Sequence, residues 1–302
     1  MSGAPEHRIL LTGSFGFLAS QVRDEIVRDS SCEGLFLSHI TQPTYEISMA
    51  ASHPLSHQVR EAILAFRPNC VLNLAWAKVA RSEREDPLHM NENVQASRNL
   101  FAFVAEHFPS CRLIGIGSQA ELGATAAAIR PDSTGVPTSA YGKGKSMARD
   151  LLLSAHPETG AWLRLLTLYG PNDHEEKFIP YLLNCLHSGS DAEISPGDQR
   201  WDFLHVSDAA RALVAAVKAP LLAGIQVVAS EEAWELKRVA QFLFDNAPSS
   251  SRRPALRIGA RPYASSELMR LEGDSGSFRR ATGWSPRISL EAGLLELLER
   301  NL

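Results

Sequence analysis

Long apolar runs are missing from this chain of 302 residues. No stretch approaches the ~18 uninterrupted apolar residues of a spanning helix, so a membrane is not expected as a partner. Charge of one sign is missing too. Thirty Lys+Arg against 34 Asp+Glu leave a formal charge of −4 without a single-sign run, which argues against nucleic acid or an anionic surface. Cysteine is scarce: Cys32, Cys70, Cys111 and Cys185 stand far apart with no C-x-x-C pair, as reduced core thiols do. The ten histidines include no H-x-x-x-H pair with an intervening Glu. His53 and His57 have the spacing but are interrupted by Pro54, so no metal site is expected. The opening Met-Ser-Gly-Ala-Pro-Glu-His-Arg has neither the basic nor the apolar region of a secretory signal, so a cytoplasmic location is expected.

What is present is an ordinary globular composition, 44% hydrophobic and 21% charged, in a length that suits two domains or one large domain with an appendage. Through the first half, short apolar runs at 8–12, 34–38, 70–75, 112–117 and 162–167 read as strands, with a further short strand at 45–49. Between them, 17–27, 55–66, 91–107 and 139–155 carry apolar residues at helical spacing. Near-continuous apolar strands alternating with helices predict a doubly wound, Rossmann-like parallel sheet, an α/β fold whose ligands sit beyond the strands' carboxyl ends. After about Gly170 the pattern loosens. A polar loop at 171–176, short helices at 178–186 and 207–217, and a polar connection at 248–254 suggest a smaller α+β lobe. The expected division is a cofactor-binding domain at 1–170 and a substrate lobe at 171–302, with chain able to cross back between them.

The first turn carries the clearest motif. Gly13-Ser14-Phe15-Gly16-Phe17-Leu18-Ala19 leaves the first strand and opens the first helix, where glycines permit a tight turn and free N–H groups face a pyrophosphate. In this strand–turn–helix setting the motif predicts dinucleotide binding. An NAD-specific site commonly has a carboxylate after the second strand, but Leu37-Ser38-His39-Ile40 offers none. The preferred cofactor is therefore NADP(H), with NAD(H) as the alternative and Ser38 and His39 as the nearest contacts.

Tyr141 and Lys145 stand four apart at a helix start, on one face. An ammonium there is expected to lower the phenol towards neutrality and fit it for proton exchange with a hydroxyl/ketone pair. Ser118, at the end of the strand at 112–117, is placed to hydrogen-bond a carbonyl gaining alkoxide character.

Together these residues resemble the extended short-chain dehydrogenase/reductases of the nucleotide-sugar epimerase/dehydratase/reductase branch. The likeness runs nearly end to end, through the Thr12–Gly16 turn, Val71-Leu72-Asn73-Leu74-Ala75, Asn93-Val94, Ser118, Tyr141/Lys145, Tyr169-Gly170-Pro171, Trp201-Asp202-Phe203-Leu204-His205-Val206-Ser207-Asp208 and Gly283-Trp284-Ser285-Pro286. The resemblance implies a nicotinamide cofactor also touched by Leu74, Ala75, Trp76 and Asn93, and a nucleotide-diphosphate sugar as substrate. It implies Ser118, Tyr141 and Lys145 as the catalytic triad. Gln119 would face the sugar, Thr167 the diphosphate, Lys177 and Phe178 the diphosphate and base, and Arg200 a phosphate. A homodimer formed by the helices at 91–107 and 139–155 is implied as well.

Departures from the family pattern narrow the chemistry. Asn73 stands where many relatives have His, Trp76 where a small residue is usual, Thr167 for an Asn and Leu122 for a Tyr. Met49-Ala50-Ala51-Ser52 lacks the family's acidic residue, and Arg200 is one position early, with Trp201 between it and Asp202. Dehydratases of this type have an Asp-Glu pair directly after the Ser/Thr; here Gln119 and Ala120 follow Ser118. The expected activity is NADPH-dependent reduction of a nucleotide-linked 4-keto-6-deoxysugar, with Tyr141 as general acid. The alternatives are a 4-epimerase with tightly bound NAD, and a catalytically silent NAD(P)-sensing module. Asp202 and Asp208 are expected to fix a turn and a helix start.

Overall fold

Strands that are apolar at nearly every position need a helical layer on each face. The computed structural model, which describes residues 5–37, 55–248, 254–264 and 267–301, gives them that setting. Strand β1 (His7–Thr12), helix α1 (Phe17–Arg28), β2 (Cys32–Leu37), α2 (His57–Phe66), β3 (Cys70–Asn73), α3 (Val94–His107), β4 (Arg112–Ser118), α4 (Ala140–Ala155) and β5 (Gly160–Leu165) alternate through the first half. There follow β6 (Thr167–Tyr169), α5 (Phe178–Ser188), β7 (Ala192–Ile194), β8 (Arg200–His205), α6 (Val206–Lys218) and β9 (Gly224–Val228). The chain ends with β10 (Ala233–Glu235), α7 (Leu236–Asn246), β11 (Leu256–Ile258), β12 (Arg270–Leu271), α8 (Gly276–Thr282) and α9 (Leu290–Asn301). The expected strand at 45–49, Ser38 and His39, the Met49–Ser52 stretch, His53 and most of the connection at 248–254 lie outside the described residues.

The large sheet is parallel, with order β2-β1-β3-β4-β5-β9. Successive strand residues feed opposite cores. Ile9, Leu11, Leu72, Ile114 and Leu163 pack with Val22 and Ile26 of α1 and the alanine-rich face of α6. Leu10, Val71, Leu113 and Trp162 pack with α2, α3 and α4. Strand order reverses at β1, so the crevice between the ends of β1 and β3 is the topological switch point where ligands of this architecture bind.

The predicted strand at 162–167 divides. β5 stays in the large sheet, whereas β6 pairs with β8, so Thr167 sits beside Phe203 in the second sheet. Residues 206–228 return to the large sheet, α6 against α1 and β9 at the edge beside β5, so the division at 170 does not separate them from it. The remaining elements build a second core from Ile179, Leu182, Phe203, Trp234, Val239, Leu243 and Leu294.

Asp202 fixes the turn after β9, accepting Ser230 and Glu231 N–H at 2.9 and 2.8 Å. Asp208 does more than start a helix. Fully buried in α6, it accepts Arg287 and Ile288 N–H at 2.8 and 2.9 Å, while its own carbonyl accepts the Trp284 indole N–H at 3.1 Å. Charge-assisted bonds of this kind contribute about 1.5–3 kcal/mol each, enough to pin the C-terminal segment to the first unit. Cys70, Cys111 and Cys185 are free and buried, and burial pushes the Cys70 thiol up to about 12.

Candidate functional site

At the switch point, Gly13 takes φ +72° directly beneath the end of β3. A Cβ there would lie 2.8 Å from the Ala75 backbone and 2.9 Å from Leu74, so only glycine permits the approach. Thr12 ties the two strands together: its hydroxyl donates to Asn73 Oδ1 at 2.6 Å and accepts Ala75 N–H at 3.3 Å. Gly16 is the N-cap of α1. Among the described residues no side chain caps that end, and its first turn holds no acid, which leaves the helix dipole and N–H groups open to an anion. Ser14 is fully buried, yet its hydroxyl has no partner among the described residues. A buried, unsatisfied hydroxyl beside an uncapped helix start fits a cofactor pyrophosphate. Gly13, Ser14, Phe15, Gly16, Phe17, Leu18, Leu74 and Ala75 are all brought to this crevice.

Strand register sets the second part of the site. Asn73 pairs with Gly115, so Ser118 stands three residues, or roughly 10 Å, farther along the sheet's carboxyl edge. Ser118 caps a short 3₁₀ turn at Gln119–Glu121, its hydroxyl accepting Ala120 N–H at 3.2 Å. Tyr141 and Lys145 lie on the first turns of α4, capped by Ser139. The glycines between them provide room. A Cβ on Gly142 would meet the Ala120 carbonyl at 2.2 Å, and one on Gly144 the His89 carbonyl at 2.9 Å. Tyr141 is thereby brought beside the Ser118 turn.

The electrostatics differ from the sequence expectation. The Tyr141 phenol is raised, not lowered: burial is the largest cause, opposed by the Arg84 guanidinium and by a hydrogen bond with Ser118. Lys145 does not face the phenol directly. Its Nζ donates to the Ile116 carbonyl at 2.9 Å, lies 3.9 Å from the centre of the Trp76 ring and 5.9 Å from that of Tyr141. Burial holds Lys145 down to about 7.

Several residues around this pair carry no signal in the sequence. Buried His89 accepts the Trp76 indole N–H on Nδ1 at 3.1 Å, and its Nε2 meets the Glu83 carbonyl at 3.0 Å. Its ring stacks on Trp76 and meets Tyr141 edge-on at 5.3 Å. It opens a turn of π-helix at His89–Asn93, a distortion frequent at functional sites. Arg84 lies 5.7 Å over the Tyr141 ring, and its carbonyl accepts the Tyr141 N–H at 2.9 Å. Asn93, expected at the cofactor, spends its amide on the main chain: it accepts Ala77 N–H at 3.0 Å and donates to the Ala77 carbonyl at 3.1 Å. It holds the loop that carries Trp76.

The expected substrate contacts are scattered. Gln119 is buried beside Ser118, and Thr167 is half-buried where β6 begins. Lys177 pairs with Asp173 at 2.7 Å, donates to the Leu168 carbonyl at 3.3 Å and lies 5.2 Å from the Phe17 ring, at the rim of the glycine turn. Phe178 packs against the second core. Arg200 does not join them. Side chains alternate along a strand, so its one-residue offset turns it away from the face of Trp201 and Phe203, towards Glu272 at 3.1 Å and the Ala233 carbonyl.

A model of the NAD dependent epimerase/dehydratase family matches residues 9–227. The CDP-abequose synthase of Yersinia pseudotuberculosis is 24% identical over 213 residues, 68% of this chain and 72% of that protein. The CDP-abequose synthase of Salmonella muenchen is 29% identical over 138 residues, 45% of this chain; the match spans about half the length of that relative (46%). Among solved structures, MoeE5 in complex with UDP-glucose and NAD superposes with a TM-score of 0.81 at 24% identity, covering 96% of this chain and 97% of that one. UDP-glucose 4-epimerase of Thermotoga maritima, solved with UDP-glucose, gives a TM-score of 0.81 at 17% identity, covering 96% and 97%. These structural likenesses extend over both units of the fold.

Proposed function

The chain belongs to the NAD dependent epimerase/dehydratase family, and from that premise we propose that it reduces the ketone of a nucleotide-linked 4-keto-6-deoxysugar, with NADPH as reductant. One observation carries the reading. The turn after Ser118 offers no free acid: Gln119 and Ala120 come first, and the Glu121 carboxylate is turned inward onto Trp162 and Arg164 at 2.8 and 3.3 Å. Removal of water needs an acid and a base besides the tyrosine, and the turn supplies neither. Reduction of a ketone needs only one proton donor, a hydrogen-bond donor and a hydride.

The cofactor, held by the Gly13–Leu18 turn, Leu74 and Ala75, supplies the hydride when bound. Tyr141 gives its phenolic proton to the sugar oxygen as that oxygen gains negative charge, and recovers one from solvent afterwards. Ser118 donates a hydrogen bond to the same oxygen. The Lys145 ammonium stabilises the transient phenolate and holds the nicotinamide ribose. Lys177, Phe178, Gln119 and Thr167 line the approach for the nucleotide sugar, and Arg200 serves it only after leaving Glu272. NADPH is preferred to NADH because Ser38-His39-Ile40-Thr41, directly after β2, offers no carboxylate to repel the extra phosphate. Outer faces of α3 and α4, with Met147 exposed between Arg98 and Leu151, form the pairing surface of a homodimer, a state that sedimentation of the purified chain reads directly.

The test supplies the purified protein with nucleotide-linked 4-keto-6-deoxysugars, CDP-linked ones first because the sequence relatives are named CDP-abequose synthases. Stoichiometric oxidation of NADPH, faster than of NADH at equal concentration, is the expected result. A C4 epimer formed from a nucleotide hexose without added cofactor would replace this reading with the epimerase. Cofactor binding with neither activity would leave a sensing module.

A further inference from the structure

Glu121 is a carboxylate 1% exposed that the proton transfer above does not use. Its Oε1 accepts two N–H groups at 2.8 Å, one from the Ser118 backbone and one from the Trp162 indole. Its Oε2 accepts Arg164 Nε at 3.3 Å and Arg149 Nη1 at 3.4 Å. Burying a carboxylate this deeply is costly without such partners. The main chain leaves room for it: a Cβ on Gly117 would lie 2.3 Å from both Glu121 Oε1 and Trp162 Nε1. The carboxylate thus ties the turn that carries Ser118 to β5 and α4.

The charged and titratable groups around the proton-transfer pair and Glu121 come from four elements. Arg84 and His89 belong to the segment before α3, Arg149 to α4, Arg164 to β5 and Glu121 to the Ser118 turn. Glu121 and Lys145 meet at the end of β4, where Lys145 Nζ donates to the Ile116 carbonyl at 2.9 Å and Glu121 accepts the Ser118 N–H at 2.8 Å, and the Glu121 charge favours the ammonium. We propose that Glu121 is a positioning residue of this site: its buried carboxylate anchors the Ser118 turn and is the counter-charge to the Lys145 ammonium held at the same strand end. The inference rests on Tyr141 and Lys145 being the proton-transfer pair.

The experiment follows the Lys145 side chain by NMR in the full chain labelled with ε-¹³C-lysine, which holds six lysines; Lys145→Met identifies the signal. Glu121→Gln keeps an acceptor for Ser118 and Trp162 but removes the charge, and is expected to lower the Lys145 titration midpoint by about one pH unit or more. Arg149→Met removes a cation from the carboxylate and is expected to raise it. Exchange of the Ser118 amide should quicken in Glu121→Ala and be preserved in Glu121→Gln. An unmoved midpoint in Glu121→Gln, or a Ser118 amide indifferent to both substitutions, overturns the proposal. Should the Glu121 variants fail to fold, Arg149→Met decides: a raised midpoint supports it, an unchanged or lowered one overturns it. No readout uses a substrate, so a protein that reduces no keto sugar would refute the reductase alone.

Discussion

As the proposed general acid, Tyr141 must keep its proton until the substrate oxygen needs it, and burial, which raises the phenol, provides for that. Lys145 is the weaker holder, since burial brings it to about 7. A depressed ammonium is charged below that value and loses its proton as pH rises through it. Turnover is therefore expected to fall above about pH 7, and a rate profile of Lys145→Met should lack that limb. Tyr141→Phe should reduce turnover by at least ~100-fold with cofactor affinity nearly unchanged, as loss of a general acid does. Near-normal turnover would remove Tyr141 from the role. Ser118, Tyr141 and Lys145 were legible because helical spacing and a strand end bring them to attention in the sequence. Glu121, His89 and Arg84 were not. Their surroundings come from distant segments, as Trp162 and Arg164 come to Glu121 from 41 and 43 residues away.

Among elements, those of the first half could be read because each apolar strand is followed by a helix of clear period. The glycine turn was legible for a related reason, since few arrangements serve a strand that must stop and a helix that must start within a few residues. Gly13→Val puts a branched side chain at φ +72° and 2.8 Å from the Ala75 backbone. It is expected to abolish nucleotide binding, as titrated by quenching of protein fluorescence; affinity within about tenfold of the parent would contradict the placement of the pyrophosphate. The short strands of the second unit escaped notice. β10, β11 and β12 span two or three residues each, too few for an alternation to appear. The break at Leu166 was hidden because both strands beside it are apolar, and only their partners, β9 for one and β8 for the other, tell them apart.

At the scale of the molecule, composition pointed to a small-molecule protein, and the six-stranded sheet with its crevice gives that expectation a place. What composition and periodicity do not carry is connectivity. The sheet's sixth strand, β9, arrives only after the chain has built β6 to β8 elsewhere, and it is delivered by α6, which also covers α1. A polypeptide ending at residue 170 would leave β5 as a bare edge and the apolar side of α1 uncovered. Such a fragment is expected to be rapidly digested by protease and to bind no nucleotide; a resistant, nucleotide-binding fragment would show the contrary. The same geometry imposes an order on biosynthesis. Although the glycine turn leaves the ribosome before most of the sheet, the strand that covers β5 emerges last of the six, so the nascent chain must keep the edge of β5 from aggregating until β9 is released.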